Sequence, residues 1–295
     1  MIRKPYVAEQ FYSDDFAELN DQVKNCFIKK NGPGEFSLNT RSKNIKAVIV
    51  PHAGYAYSGP CAAWAFKELG ETKFPDTIII LGVNHSNNLT CCSDLDWETP
   101  FGMVKPDSEF IQKLSEENIP IENQDHEFEH SIEVQLPFLQ FISKDYLKKL
   151  RIAPILIGDS NVSEIASKIF AAITSLNSNL KENRNFLIIV SSDFTHYGRN
   201  YRYIPFETGI KERVKEFDMN YIEAIKKMDS NLFLSEVNKK MGTVCGQFAI
   251  ATMMELLQKL NPNQKINVSL LQYYSSGDII GDFKNSVSYA ALKFE

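Results

Sequence analysis

The sequence predicts an α/β fold, with a central, largely parallel or mixed β-sheet flanked by helices. Three observations carry the prediction. Short apolar runs rich in Val and Ile occupy residues 47–50, 77–81, 151–157 and 186–190, each bounded by turn signals, and read as buried strands. Between them lie segments with apolar residues at helical spacing, such as Ile165, Ile169, Ile173 and Leu176. Third, three of the runs deliver a histidine just beyond their C-terminal end, where open α/β sheets bind ligands.

The elements follow in chain order. Ser13 and Asp14 can cap a helix that runs to about Phe27, with Phe16, Leu19, Val23 and Phe27 on one stripe. Residues 29–44 are polar, contain Gly32-Pro33-Gly34, and read as a loop. The first strand, 47–50, ends at Pro51, which cannot continue a ladder, and His52 follows at once. A helix is expected over 60–67, with Pro60 in its first turn. The second strand, 77–81, leads through Gly82 to His85. Residues 89–100 read as an irregular or edge-strand excursion, with Cys91 and Cys92 as structural thiols. A short amphipathic helix is expected over 107–117. In the strand at 151–157, Pro154 suggests an edge or a bulge. A helix over 160–176 precedes the run 186–190, the most continuously apolar and so the central strand. That strand opens into Ser191-Ser192-Asp193-Phe194-Thr195-His196. Residues 207–228 and 230–240 read as helices, and strands are expected at 266–274 and 287–293. Cys245 stands before a further helix, whose macrodipole favours a thiolate.

Composition narrows the function classes. The 295 residues are 43% hydrophobic and 23% charged, which suits an ordinary globular protein of one or two domains. A net charge of −5 gives no reason to expect a nucleic-acid partner. No apolar run approaches the roughly 18 residues of a membrane span, so no membrane association is expected. The first residues lack a signal-peptide core, and the five cysteines are odd in number and irregularly spaced. Reduced thiols and a cytoplasmic location are therefore expected.

Four of the five histidines follow strand ends or helix starts, and none lies within an apolar stripe. If the strands run parallel and side by side, His52, His85 and the Asp193/His196 pair converge on one crevice, and Cys245 reaches it from its helix start. Two imidazoles and one anionic ligand, with other positions open, suit non-haem iron; a thiolate as the third ligand shifts preference toward Cu(I) or Zn(II). Asp193 and His196 suit proton transfer. His126-Glu127-Phe128-Glu129-His130 formally matches the zinc-protease motif. That motif works only within a helix, and here the apolar period begins at Ile132, so His126 falls before the helix or in its fraying turn. His130 remains a site candidate.

Six motifs, PHAGYAYSG (51–59), LGVNHS (81–86), EHSIEVQLPFL (129–139), SSDFTHYG (191–198), TVCGQ (243–247) and SVSYAA (286–291), together resemble the Memo family, named for an animal mediator of receptor-driven cell motility. They spread in order over nearly the whole chain. The resemblance implies one domain over residues 1–295 with the fold of class III extradiol ring-cleaving dioxygenases, which hold Fe(II) with two histidines and a glutamate. It places His52 and His85 as the histidine ligands and Cys245 where the carboxylate would be. It implies that His196, with Asp193, takes the acid/base position, and that His130 lies near the same cleft. His126 has no counterpart. Glu9 stands where glycine is usual, which implies an altered loop there. A thiolate ligand donates more charge to iron, is itself oxidisable, and need not preserve catechol binding.

Three functions follow. The first is a metal-dependent redox protein of dioxygenase-like architecture, with Fe(II) or Cu (Zn also fits) at His52, His85 and Cys245, and with His196 oriented by Asp193. The second is a non-catalytic metal- or peptide-binding signalling module, with Phe11, Tyr12, Tyr55 and Tyr57 lining its cleft. The third is a hydrolase with Cys245 as nucleophile and His196 as base. The ligand expected in the cleft is a small molecule or peptide. In prokaryotic relatives the resemblance also implies radical-SAM and AMMECR-type protein partners.

Overall fold

A computed structural model of the chain describes all residues except 36, 38–40 and 179–182; that part of the expected 29–44 loop lies outside the described residues. The elements run β1 (Ile2–Arg3), α1 (Phe16–Ile28), β2 (Ala47–Val50), α2 (Tyr55–Gly70), β3 (Thr77–Val83), β4 (Cys91–Cys92), β5 (Asp96–Thr99), β6 (Gly102–Pro106), α3 (Ser108–Glu116) and α4 (Asn123–Glu127). A 3-10 turn, Glu133–Gln135, leads into α5 (Leu136–Ile142) and β7 (Arg151–Ile157). Then come α6 (Val162–Ser178), β8 (Phe186–Ser191), β9 (His196–Gly198), α7 (Ile210–Lys226), α8 (Ser230–Lys239), α9 (Gln247–Leu260), β10 (Val268–Ser275), α10 (Ser276–Ile280) and β11 (Asn285–Phe294).

The sheet is mixed, with the order β1-β5-β6-β7-β3-β8-β2-β11-β10. β7, β3, β8 and β2 are parallel neighbours, and β11 and β10 extend the sheet antiparallel. β8 is interior, as its unbroken apolar run predicts. The reason for that run is visible in the packing. Along β8, Ile188 and Val190 face one apolar layer, with α6 and α9, while Leu187 and Ile189 face the other, with α1, α2 and α5. Ile79 and Leu81 alternate with Ile78 and Ile80 in the same way on β3. A strand covered on both faces has no polar side to show.

Several boundaries differ from expectation. α1 is capped by Asp15, which accepts the amides of Ala17 (2.8 Å) and Glu18 (2.9 Å), not by Ser13 or Asp14. α2 begins at Tyr55, so Pro60 lies inside it rather than in its first turn. The early start is held by tertiary bonds: the Tyr55 amide donates to Phe11 O (2.8 Å) and its hydroxyl to Val134 O (2.6 Å). Pro154 marks neither an edge nor a bulge. β7 is flanked by β3 on one side; on the other, β6 pairs with its start and β4 with its end. Pro154 falls in the gap between those two short strands, where its missing N–H leaves no ladder bond unmade. Glu9 adopts φ +65°, the left-handed region that glycine enters freely, and its amide donates to Tyr12 O (2.7 Å). The backbone there takes a glycine's conformation despite the side chain.

The N-terminal segment is tied into the interior by a buried ion pair. Arg3 and Glu133 bond side chain to side chain, both fully buried. Arg3 also donates to the carbonyls of His126 (3.1 Å) and Glu129 (2.7 Å). Glu133 also accepts the amides of Tyr6 (2.9 Å) and Val7 (3.0 Å) and the Tyr12 hydroxyl (2.5 Å). All five cysteines are free thiols. Among the described residues no helix is long and apolar enough to cross a membrane.

Candidate metal centre

The C-terminal ends of β2, β8 and β3 lie side by side, with Val50 opposite Ser191 and Leu81 opposite Val190. His52, the Asp193/His196 loop and His85 therefore leave one edge of the sheet together. Two glycines permit the close approach of the remaining pieces. A Cβ on Gly82 would lie 2.6 Å from Ile132 and 2.7 Å from Ser131, which pack over β3. A Cβ on Gly246 would lie 2.5 Å from Ser192, the contact that seats Cys245 against β8.

His52 is buried, at 3% exposure. Its Nδ1 lies 3.0 Å from Ser191 Oγ, and its Nε2 lies 3.2 Å from Cys245 Sγ. The proton on this ring can be placed by elimination. Ser191 has one hydroxyl hydrogen and gives it to Ser131 O (2.6 Å), which can only accept. Gln135 Nε2 donates to Ser191 (2.9 Å) and to Pro51 O (2.9 Å). Ser191 is thus an acceptor toward His52, so Nδ1 carries the proton and Nε2 presents its lone pair to the cleft. Burial, then the charges of His130 and His85, hold this imidazole well below the ordinary histidine range, in its neutral, ligand-competent form.

His85 is more open, with its side chain 38% exposed. Its Nδ1 lies 2.9 and 3.1 Å from the two oxygens of Glu129, and its amide donates to the same carboxylate (3.1 Å). Burial opposes charge on Glu129, but the His85 bond, the nearby imidazoles and the Ser131 amide outweigh it and bring the carboxyl to about 2. Ionised Glu129 cannot donate, so His85 Nδ1 carries a proton on the side that faces it. Cys245 Sγ accepts the Asp193 amide (3.2 Å). The ligand atoms of His52, His85 and Cys245 lie within 4.8 Å of one another, a spacing that could hold one metal ion. The same spacing holds for His85, Glu129 and His130.

His130 stacks on His85, with ring centroids 4.9 Å apart, and meets His52 edge-on at 5.3 Å. Asp193 and His196 border the same group, though not in the expected relation. The Asp193 carboxylate accepts the His52 amide (2.8 Å). His196 Nδ1 instead faces the carbonyls of Phe194 and Thr243, each at 3.0 Å. Two backbone acceptors thus orient the His196 ring and put a proton on Nδ1. Burial pushes the Asp193 carboxyl up, while His196 and the amides of His52 and Ala53 pull against it.

A family profile described as Memo-like protein matches residues 3–293. The chain belongs to the Memo family. It is 36% identical over 299 residues to a protein named MEMO1 family protein from Nitrosopumilus maritimus, with all of both chains covered. It is 35% identical over 306 residues to a protein of the same name from Methanobrevibacter smithii, again with full coverage of both. A third such relative, from Thermotoga neapolitana, is 34% identical over 297 residues and 98% of each chain. The mixed sheet with helices on both faces is the dioxygenase-like fold for which the Memo family is known.

Three expectations need correction in this Memo-family chain. The macrodipole does not make Cys245 a free thiolate, since burial, then the Asp193 charge, push its thiol up. The imidazole at bonding distance from Cys245 is His52, so the Cys245–His196 pairing expected for a hydrolase is not formed. Tyr12 and Tyr55 are buried, stack at 5.4 Å and spend their hydroxyls on Glu133 and Val134, so of the four expected cleft aromatics only Phe11 and Tyr57 reach the surface. Glu129, Ser191 and Gln135 carry no spacing signal that marks them as site residues. Their traces are membership of the motifs EHSIEVQLPFL and SSDFTHYG and position, beside His130, at the end of β8, and one helical turn past Ser131.

His126 does not share a face with His130. α4 ends at Glu127, and the ring turns inward against Trp97 (5.9 Å between centroids) and Cys91 Sγ (3.8 Å from Nε2). Burial, with the Arg3 charge adding, lowers this imidazole to about 4. A histidine whose folded value lies below its unfolded value of 6.5 contributes stability that is complete above pH 6.5 and lost as pH falls toward about 4. The loss is expected to reach ~3 kcal/mol at the acid end. Urea unfolding at about pH 7 and about pH 4.5 should therefore show a smaller pH effect in His126→Gln than in the wild type. Equal losses in both would assign the acid sensitivity elsewhere.

Proposed function

We propose that this chain binds one iron or copper ion at His52, His85 and Cys245 and uses it for redox chemistry on a small molecule. One observation carries the reading. Both imidazoles have Nδ1 engaged from behind, by Ser191 and by Glu129, which leaves Nε2 of each ring as the atom that would share an ion with the Cys245 sulfur. Neutral imidazoles fixed by outer hydrogen bonds are the state in which histidine binds metals. An ion held there would supply one-electron chemistry and open coordination positions.

The remaining residues have separate tasks. Exposed His85 and part-exposed His130, whose side chain is 26% exposed, form the accessible side of the cleft, while His52 closes its floor. A substrate entering from that side would meet His196 Nε2, which can take a proton because Nδ1 is held by two carbonyls. Asp193 holds the His52 backbone and the Cys245 sulfur in place, accepting the His52 amide and giving its own amide to Sγ.

Elemental analysis of protein purified without oxygen is expected to find close to one iron or copper per chain. Copper loading should add a sulfur-to-metal charge-transfer band that alkylation of Cys245 removes. Stoichiometric zinc with no redox-active metal would support a non-redox binding module, and no metal above trace would overturn the reading.

A further inference from the structure

The two rings are not supported alike. Behind His52 stands a neutral hydroxyl, Ser191, which donates its own hydrogen bond to Ser131 O. Behind His85 stands a buried carboxylate, Glu129, which takes three donors: the His85 ring, the His85 amide and the Ser131 amide (2.7 Å). Both supports come from one stretch of chain. Residues 129–135 supply the carboxylate, the carbonyl of Ser131 that orients the Ser191 hydroxyl, and the Gln135 amide that fills Ser191's other acceptor position. Ser131 Oγ also accepts the Val83 amide (3.0 Å), which locks this stretch to the end of β3 just before His85.

We infer that Glu129 is the positioning residue that makes His85 the stronger of the two imidazole donors, and that residues 129–135 form a single cradle setting the tautomer of both rings. The inference rests on the metal reading above and says how this chain tunes that site. A carboxylate bonded to Nδ1–H draws the proton toward itself and leaves Nε2 more basic, whereas a neutral hydroxyl does so far less. A negative charge one imidazole away from the ion also stabilises its higher oxidation state. Of the two rings, His85 thus has the larger influence on affinity and on potential.

The carboxylate cannot be replaced by its amide without loss. Each Glu129 oxygen accepts a backbone amide, Oε1 from Ser131 and Oε2 from His85, so the NH2 of a glutamine would point at one of them even though His130 Nδ1 lies 3.5 Å from Oε1. Glu129→Gln is therefore expected to weaken binding of Fe(II) or Cu(I), whichever the wild type takes up in one equivalent, by 10- to 100-fold in a chelator competition. The midpoint potential of the loaded protein should rise. Glu129→Asp keeps the charge and should recover most of both effects, while Ser191→Ala should cost affinity with little change in potential. Thermal unfolding of each apo variant checks that it folds. If Glu129→Gln binds within about threefold of the wild type at an unchanged potential, the inference falls and the metal reading stands. If the wild type takes up no metal through Cys245, the metal reading falls. Nitrogen-15 NMR of the apo protein then decides the cradle: Nδ1-protonated His85 in the wild type and a tautomer mixture in Glu129→Gln support it, and Nε2-protonated His85 in the wild type overturns it.

Discussion

Cys245→Ala is expected to lower metal affinity by more than about 100-fold, beyond the ten- to hundredfold cost of losing an outer hydrogen-bond partner. The sulfur is the one soft donor in the group, and Asp193 N–H at 3.2 Å and His52 Nε2 at 3.2 Å fix its position. His196→Ala should behave in the opposite way, since its ring is anchored by the Phe194 and Thr243 carbonyls and is not among the three grouped ligands. That variant should keep one equivalent of metal and lose any proton-dependent turnover. Metal content by elemental analysis, set against apo-state melting temperature for each variant, separates ligand loss from misfolding. A protein lacking both His52 and Cys245 that still held one equivalent would end the assignment.

The second large effect lies outside the cleft. Glu133→Ala is expected to destabilise the protein by about 3–5 kcal/mol. The carboxylate holds the Arg3 guanidinium, two backbone amides and the Tyr12 hydroxyl in a site closed to water. Its removal strands a buried cation and three donors at once. Removing both charges, in Arg3→Met with Glu133→Gln, should cost less than Glu133→Ala alone, because no unpaired charge remains. Urea unfolding monitored by tryptophan fluorescence would measure both, and a Glu133→Ala loss below about 1 kcal/mol would mean that water reaches the pair.

Much of the fold was legible because two-sided burial writes itself as continuous β-branched runs, at 47–50, 77–83 and 186–191. The errors arose where a tertiary contact overrode a local rule. Pro60 reads as a helix start, yet Phe11 and Val134 draw α2 back to Tyr55. Pro154 reads as an edge, yet its strand is interior and only its outer neighbours are interrupted. His126 and His130 share the spacing of a helical metal motif, yet the helix between them stops at Glu127.

The residue types and their placement after strand ends, His52, His85, Asp193 and His196, belong to the sequence, because strand periodicity and break residues are local properties of the chain. Which nitrogen of each ring faces the cleft, and which groups stand behind it, was decided only in the folded molecule. His52 meets Cys245 across 193 positions and Ser191 across 139, and His85 meets Glu129 across 44. A proton's location on an imidazole is set by the acceptor beside it, and no local pattern of residues records an acceptor that arrives from so far along the chain.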